Sequence, residues 1–188
     1  MNLNSEEEFL NLISEDDWMM DILLTVKSLD LPDWWVCAGF IRSKIWDTLH
    51  GYRYRTPLTE IDVIYFNDKN KDEAEEKELE RKLNKLRPNV PWSVKNEARM
   101  HFVNGIPPYL SSIDAISKFP ETATALGLKL DEQNNLILTA PHGIDDVINL
   151  KVKPTDYFKK DEDRMAIYKE RLVTKNWKTI WWNLKIQH

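Results

Sequence analysis

The sequence holds one cysteine, Cys37, so no disulfide can form within the chain. No apolar run approaches the roughly 18 residues that a membrane-spanning helix needs. Basic charge is also short, with 26 Lys and Arg against 31 Asp and Glu, a net charge of −5. Broad, nonspecific nucleic-acid binding needs the opposite balance. A nucleotide, or an RNA end held by a local basic patch, remains open. There is no Gly-x-x-x-x-Gly-Lys-Ser/Thr loop, which removes a Walker-type ATPase. His50, His101, His142 and His188 are widely spaced and lack cysteine neighbours, so a zinc site has little support.

Aromatic residues are plentiful. Eight Trp, six Tyr and six Phe in 188 residues exclude a disordered chain and supply a core. The first residues, Met1-Asn2-Leu3-Asn4-Ser5-Glu6-Glu7-Glu8, are acidic and lack the basic and apolar regions of a signal peptide. A cytoplasmic location with no membrane partner is the resulting expectation. No linker or repeat divides the chain. The expectation is one domain over 1–188, with a core at 33–154, N-terminal helices in 5–31 and C-terminal helices in 158–186.

Ser5 with Glu8 caps a short helix, and Ser14 with Asp17 caps a second that Pro32 ends. Trp34 to Ala38 reads as a buried strand and Ile41 to Leu49 as a helix stopped by Gly51. Glu60 to Phe66 reads as a strand, Asp72 to Arg87 as a solvated helix and Trp92 to Asn96 as a third strand. Helices are expected over Ala98 to Val103, Ser112 to Lys118, Ile144 to Leu150 and Asp161 to Val173. Thr124 to Leu130 and Leu136 to Thr139 form a hairpin. Trp177, Trp181 and Trp182 read as a docked C-terminal helix.

The chemistry concentrates between Trp35 and Phe66. Alternation along a strand puts Glu60 and Asp62 on one face, with Ile61, Val63 and Tyr65 on the other. Carboxylates so close repel unless a cation sits between them. Mg²⁺, or Mn²⁺ in its place, suits such a pair because it accepts one or two carboxylates together with substrate phosphates. Gly39, between strand and helix, lets the backbone approach a ligand. The first N–H groups of the following helix can hold phosphate oxygens, with Arg42 in the same turn. Lys95, Asn96, Arg99 and His101 form a polar group after the third strand; Lys95 or Arg99 could meet a triphosphate and Asn96 a substrate. Cys37 reads as packing, and Asp145-Asp146 as helix N-terminal acids.

The order strand, glycine, helix, strand, acid-x-acid resembles the nucleotidyltransferase superfamily that includes DNA polymerase β and the CCA-adding enzymes. Gly39-Phe40-Ile41-Arg42-Ser43 and on to Leu49-His50-Gly51 is similar to the Gly-Gly-x-Val-Arg-Asp-x-Leu-x-Gly stretch of CCA-adding enzymes. Glu60-Ile61-Asp62-Val63 resembles the acid signature that follows it. A bacterial family of nucleotidyltransferase-like proteins resembles more of the chain, from about Trp35 to about Pro154. Thr56-Pro57-Leu58-Thr59-Glu60-Ile61-Asp62-Val63, Val94-Lys95-Asn96-Glu97-Ala98-Arg99-Met100-His101 and Ala140-Pro141-His142-Gly143-Ile144-Asp145-Asp146 carry that likeness.

The resemblance implies an α+β fold, a nucleotidyltransferase-like mixed β-sheet flanked by helices. It implies Mg²⁺-dependent transfer of a nucleoside monophosphate from an NTP to a hydroxyl acceptor, either a small molecule, a protein or an RNA end. Glu60 and Asp62 would hold the metal. Gly39, Phe40, Arg42, Ser43, Lys95 and Asn96 would meet substrate. The superfamily's third carboxylate, the base for the attacking hydroxyl, falls to Glu97, with Asp114 as the rival. Phe40 stands where a small residue is usual and is expected to narrow the phosphate pocket. The alternative is an inactive protein of the same fold that serves as a nucleotide-binding or protein-interaction module.

Overall fold

The computed structural model describes residues 3–188. Helix α1 (Glu6–Ser14) begins at Ser5, whose Oγ accepts from the Glu8 N–H while the Glu8 carboxylate accepts from the Asn4 N–H. Helix α2 (Asp17–Lys27) begins at Asp16 rather than Ser14; the Asp16 carboxylate accepts from the Met19 N–H. Carboxylate and hydroxyl serve equally well at this position, so the sequence alone leaves the two close. The helix ends at Lys27, ahead of Pro32.

Strand β1 (Trp35–Cys37) leads directly into α3 (Gly39–Leu49), and β2 (Ile61–Tyr65) follows a loop. Helix α4 (Glu73–Leu86), capped by Asp72, connects to β3 (Trp92–Asn96), which runs straight into α5 (Glu97–Asn104). Helix α6 (Ser112–Ser117) precedes the hairpin of β4 (Gly127–Leu130) and β5 (Leu136–Thr139). The first half of the expected hairpin strand is instead a turn: the N–H groups of Thr124 and Ala125 both donate to the Glu121 carbonyl. The chain ends with α7 (Asp145–Ile148), β6 (Lys151–Val152), α8 (Asp156–Lys159), α9 (Glu162–Lys175), a 3-10 turn at Trp177–Thr179 and β7 (Lys185–Ile186).

The five-stranded sheet has the order β3-β2-β1-β4-β5. The β2–β3 pair is parallel and the other three are antiparallel, so the sheet is mixed. Register places Val36 opposite Val63 and Cys37 opposite Asp62. Val36, Ile61, Val63, Tyr65, Val94 and Leu128 face the main core with Phe9, Ile22, Ile41 and Leu83. Trp35, Cys37 and Ile64 face the other way, where Ile116 and Ala125 cover only part of the sheet. The uncovered part is the floor of a cavity.

The tryptophans at the C-terminal end do not form the expected helix. Trp177 and Trp181 are buried, whereas Trp182 is 67% exposed. The turn is held by a two-stranded parallel ribbon, in which Lys151 pairs with Lys185 and Val152 with Ile186. Strands of two residues carry no readable period, which is why β6, β7 and the single-turn α8 have no sequence signal.

Candidate functional site

The cavity has a volume of about 900 Å³ and lies between the open sheet face, α5, α8, α9 and the C-terminal turn. Glu60, Asp62 and Ile64 share its floor, as alternation along β2 requires. Glu60 sits one residue before the strand, half-exposed, with its Oε1 at 4.0 Å from Lys175 Nζ. Asp62 is pushed up to about 6 from an ordinary 3.8, first by burial and then by the charge of Glu60. The pair therefore lacks a full counter-charge.

Glu97 joins them on the cavity wall as the first residue of α5. Burial, then Glu76 and Asp62, push its carboxyl up to about 8. Asp114 lies elsewhere: its Oδ2 accepts from Leu110 N and Lys118 Nζ, both at 2.9 Å, which caps and fastens α6. Among the described residues, no three His, Cys, Asp or Glu side chains converge to hold a metal unaided. Two carboxylates in a cavity lined by cations match the donor set of Mg²⁺ bound together with phosphate oxygens.

The start of α3 forms one end of the cavity. Ala38 carries the strained backbone there, at φ 55 and ψ −116, a region that only glycine enters cheaply. Its carbonyl accepts from the N–H groups of Ile41 and Arg42, which nucleates the helix. Gly39 lies beside the Arg42 guanidinium: a Cβ there would sit 3.5 Å from Nη2, an ordinary contact, so a small side chain would also fit. Ser43 also lines the cavity.

Phe40 does not. It is fully buried on the opposite face of α3, against Trp18 at 5.9 Å, so it cannot narrow a phosphate pocket. Successive helix residues point about 100° apart, which separates Phe40 from Gly39. Asn96 also stays out of the cavity. Its Oδ1 accepts from Ala98 N and Asn67 N, and its Nδ2 donates to the carbonyls of Asn67 and Asn70, which leaves no capacity for substrate. Arg99 forms a two-point pair with Glu76, at 2.9 Å for each contact. His101 is buried at the end of α5 with its ring against Phe102. Lys95 lines the cavity and sits 3.5 Å from Glu76. The Cys37 thiol is pushed well up by burial, Asp62 and Glu97, and stays protonated.

Six cations face the cavity: Arg42, Lys95, Lys118, Arg164, Arg171 and Lys175. Three of them come from α9, which the sequence reading treated only as a helix. The spacing of Arg164, Arg171 and Lys175 (i, i+7, i+11) was the available signal, since it puts three positive charges on one helix face. Arg171 is tied to the fully buried Glu121, with Nε to Oε1 at 2.8 Å. Trp177, Trp181 and Asp47 were also missed. The Asp47 carboxylate accepts from Trp181 Nε1 and from both the N–H and hydroxyl of Thr56, joining the C-terminal turn to the loop that delivers Glu60.

The family model described as Nucleotidyltransferase matches residues 24–186. A protein whose NMR structure is described as revealing a CCA-adding enzyme head domain superposes with a TM-score of 0.89 at 38% identity, over 99% of this chain and 97% of that one. A CCA-adding enzyme solved in complex with CTP gives 0.56 at 13% identity, over 95% of this chain and 43% of that one. The Thermotoga maritima CCA-adding enzyme complexed with tRNA gives 0.52 at 15%, over 95% and 42%. This chain thus spans less than half the length of those two enzymes, and the likeness to them is one of fold. No curated protein matches the chain in sequence. Among the described residues, no helix is long and apolar enough to cross a membrane.

Proposed function

Since this chain belongs to the nucleotidyltransferase family, we propose that its cavity is where a nucleoside monophosphate passes from an NTP to an acceptor hydroxyl, with Mg²⁺ as the metal. The observation that carries this reading is the under-compensated Glu60–Asp62 pair on the floor of a cavity whose walls carry six cations.

Glu60 and Asp62 would hold the metal. When bound, Mg²⁺ supplies charge stabilisation to the phosphates and acidifies the attacking hydroxyl. The first N–H groups of α3, starting at Gly39, would receive an anion at the helix N-terminus, where the helix dipole favours it. Arg42, Ser43 and Lys95 border the same space and supply donors to the triphosphate. Glu97, on the cavity wall, would take the acceptor proton, and its raised affinity for a proton suits that task near neutral pH. The α-phosphate would accept the hydroxyl oxygen, and pyrophosphate would leave.

NTP is the first partner. The CCA-adding enzymes of similar fold solved with CTP and with tRNA make CTP and an RNA end the first substrates to test. The net charge of −5 points to a local grip on such an end rather than a broad one. Transfer of label from α-labelled NTPs to candidate acceptors, with the Glu60→Ala/Asp62→Ala double variant beside the wild type, tests the reading. Equal transfer by the double variant would defeat it. A second reading, binding without chemistry, is favoured by the lack of a converged three-acid cluster among the described residues. Tight, metal-dependent NTP binding with no transfer to any acceptor would select it.

A further inference from the structure

Arg42 is the exception among the cavity's cations. Lys118 is paired with Asp114, Arg171 with Glu121, Lys95 with Glu76 and Lys175 with Glu60, and Arg164 donates to the Tyr157 carbonyl. Among the described residues, Arg42 has no salt bridge and no hydrogen-bond partner for its buried Nε, although the residue is only 9% exposed. Glu121 and Asp62 favour its charge from a distance without pairing to it, and burial still outweighs them, so the guanidinium needs further compensation.

Three indole rings surround it. Arg42 Cζ lies 4.5 Å from the Trp177 ring centre, 5.1 Å from Trp46 and 5.9 Å from Trp181. All are within range for a cation–π interaction, which is strongest with tryptophan and grows as water is removed. The rings also brace one another edge to face, Trp46 at 5.7 Å from Trp177 and 5.1 Å from Trp181. Two of the three are also pinned by their N–H groups, Trp46 on the Val147 carbonyl and Trp181 on Asp47. Trp177 and Trp181 themselves line the cavity.

We propose that Trp177 and Trp181, from the C-terminal turn, are positioning residues that hold the Arg42 fork open toward the cavity as a receptor for the triphosphate of the nucleotide. An acid partner would occupy the fork's donors, whereas an aromatic cradle supports the charge through its faces and leaves the edge donors free for a phosphate oxygen. This inference rests on the proposed nucleotide role of the cavity, and it gives the C-terminal turn a part in that role.

The test uses the full chain with magnesium and inorganic tripolyphosphate, a probe with no base or sugar, followed by calorimetry. Arg42→Ala should weaken binding, and Trp177→Leu should weaken it about tenfold, within the range of a desolvated cation–π contact. Trp177→Phe should restore binding to within roughly threefold, because a smaller ring keeps part of the interaction. Trp182→Leu, at the exposed neighbour, should change nothing. In the Arg42→Ala background, Trp177→Leu should add no further loss. Independently of whether the leucine variant folds, chain labelled with 5-fluorotryptophan should show the Trp177 resonance, assigned through Trp177→Phe, shifting on addition of the probe while Trp182 stays fixed. Weak binding by Arg42→Ala with wild-type binding by Trp177→Leu, or a still Trp177 resonance in bound protein, would overturn the cradle alone. Wild-type binding by Arg42→Ala, or no binding by the wild type, would overturn the cradle together with the phosphate role beneath it.

Discussion

Replacing Asp62 by asparagine should remove activity and at the same time stabilise the fold at neutral pH. The carboxyl is pushed from an ordinary 3.8 up to about 6 by burial and by Glu60. Between those values the folded state binds a proton that the unfolded chain has lost, so stability falls as pH rises through the interval. At about 1.4 kcal/mol per pH unit, ionised Asp62 costs the fold roughly 3 kcal/mol above pH 6. Asparagine carries no charge but still buries an amide, so a net gain of about 1–2 kcal/mol is expected. For a chain of 188 residues that is a melting temperature roughly 2–8 °C higher. Thermal unfolding at pH 8 and at pH 4.5 measures it, and the gap should shrink toward acid, where wild-type Asp62 is protonated. Magnesium with CTP should raise the melting point of the wild type and leave the variant unmoved. A variant that melts at or below the wild type at pH 8, or a gap that ignores pH, would refute the assignment of an uncompensated carboxylate to this floor.

Other substitutions probe separate parts of the fold. Arg171→Met strands the fully buried Glu121 and should cost about 3–5 kcal/mol in urea unfolding, as breaking one side of a buried pair does; a loss below about 1 kcal/mol would count against it. Ala38→Gly should relieve the φ of 55 and raise stability by about 0.5–1 kcal/mol, with probe binding retained. Asn96→Ala should lose about 2–3 kcal/mol through its four hydrogen bonds and leave tripolyphosphate affinity unchanged. An affinity loss in the folded variant would return Asn96 to the site.

The strands and their acids were legible because their signals are local. Trp35 to Cys37 and Ile61 to Tyr65 alternate or run apolar between clear breakers, whereas the mixed sheet was implied by the family resemblance rather than by the strands themselves. Phe40 was misjudged because a motif compares residues along a line, whereas a helix turns each neighbour by about 100°; the strained position proved to be Ala38. Asn96 looked like a ligand residue because an amide that caps a helix and ties a loop has the same composition as one that binds substrate. The α9 cations announced a charged helix face but not what it faces, and the two tryptophans gave no signal of a site at all. Their meaning depends on which face of the sheet the C-terminal segment crosses, a choice made by long-range packing.

The strand that bears the acids and the turn that cradles Arg42 lie at opposite ends of synthesis. A nascent chain that has emerged as far as α5 already contains Glu60, Asp62 and Arg42 but lacks α8, α9 and the C-terminal turn that complete the cavity. The roof arrives only with α8, α9 and the tryptophans, and the Asp47–Trp181 bond then ties it down. Competence for nucleotide binding should therefore appear late and abruptly as the polypeptide lengthens, and shorter ribosome-bound fragments should display a charged, unroofed sheet.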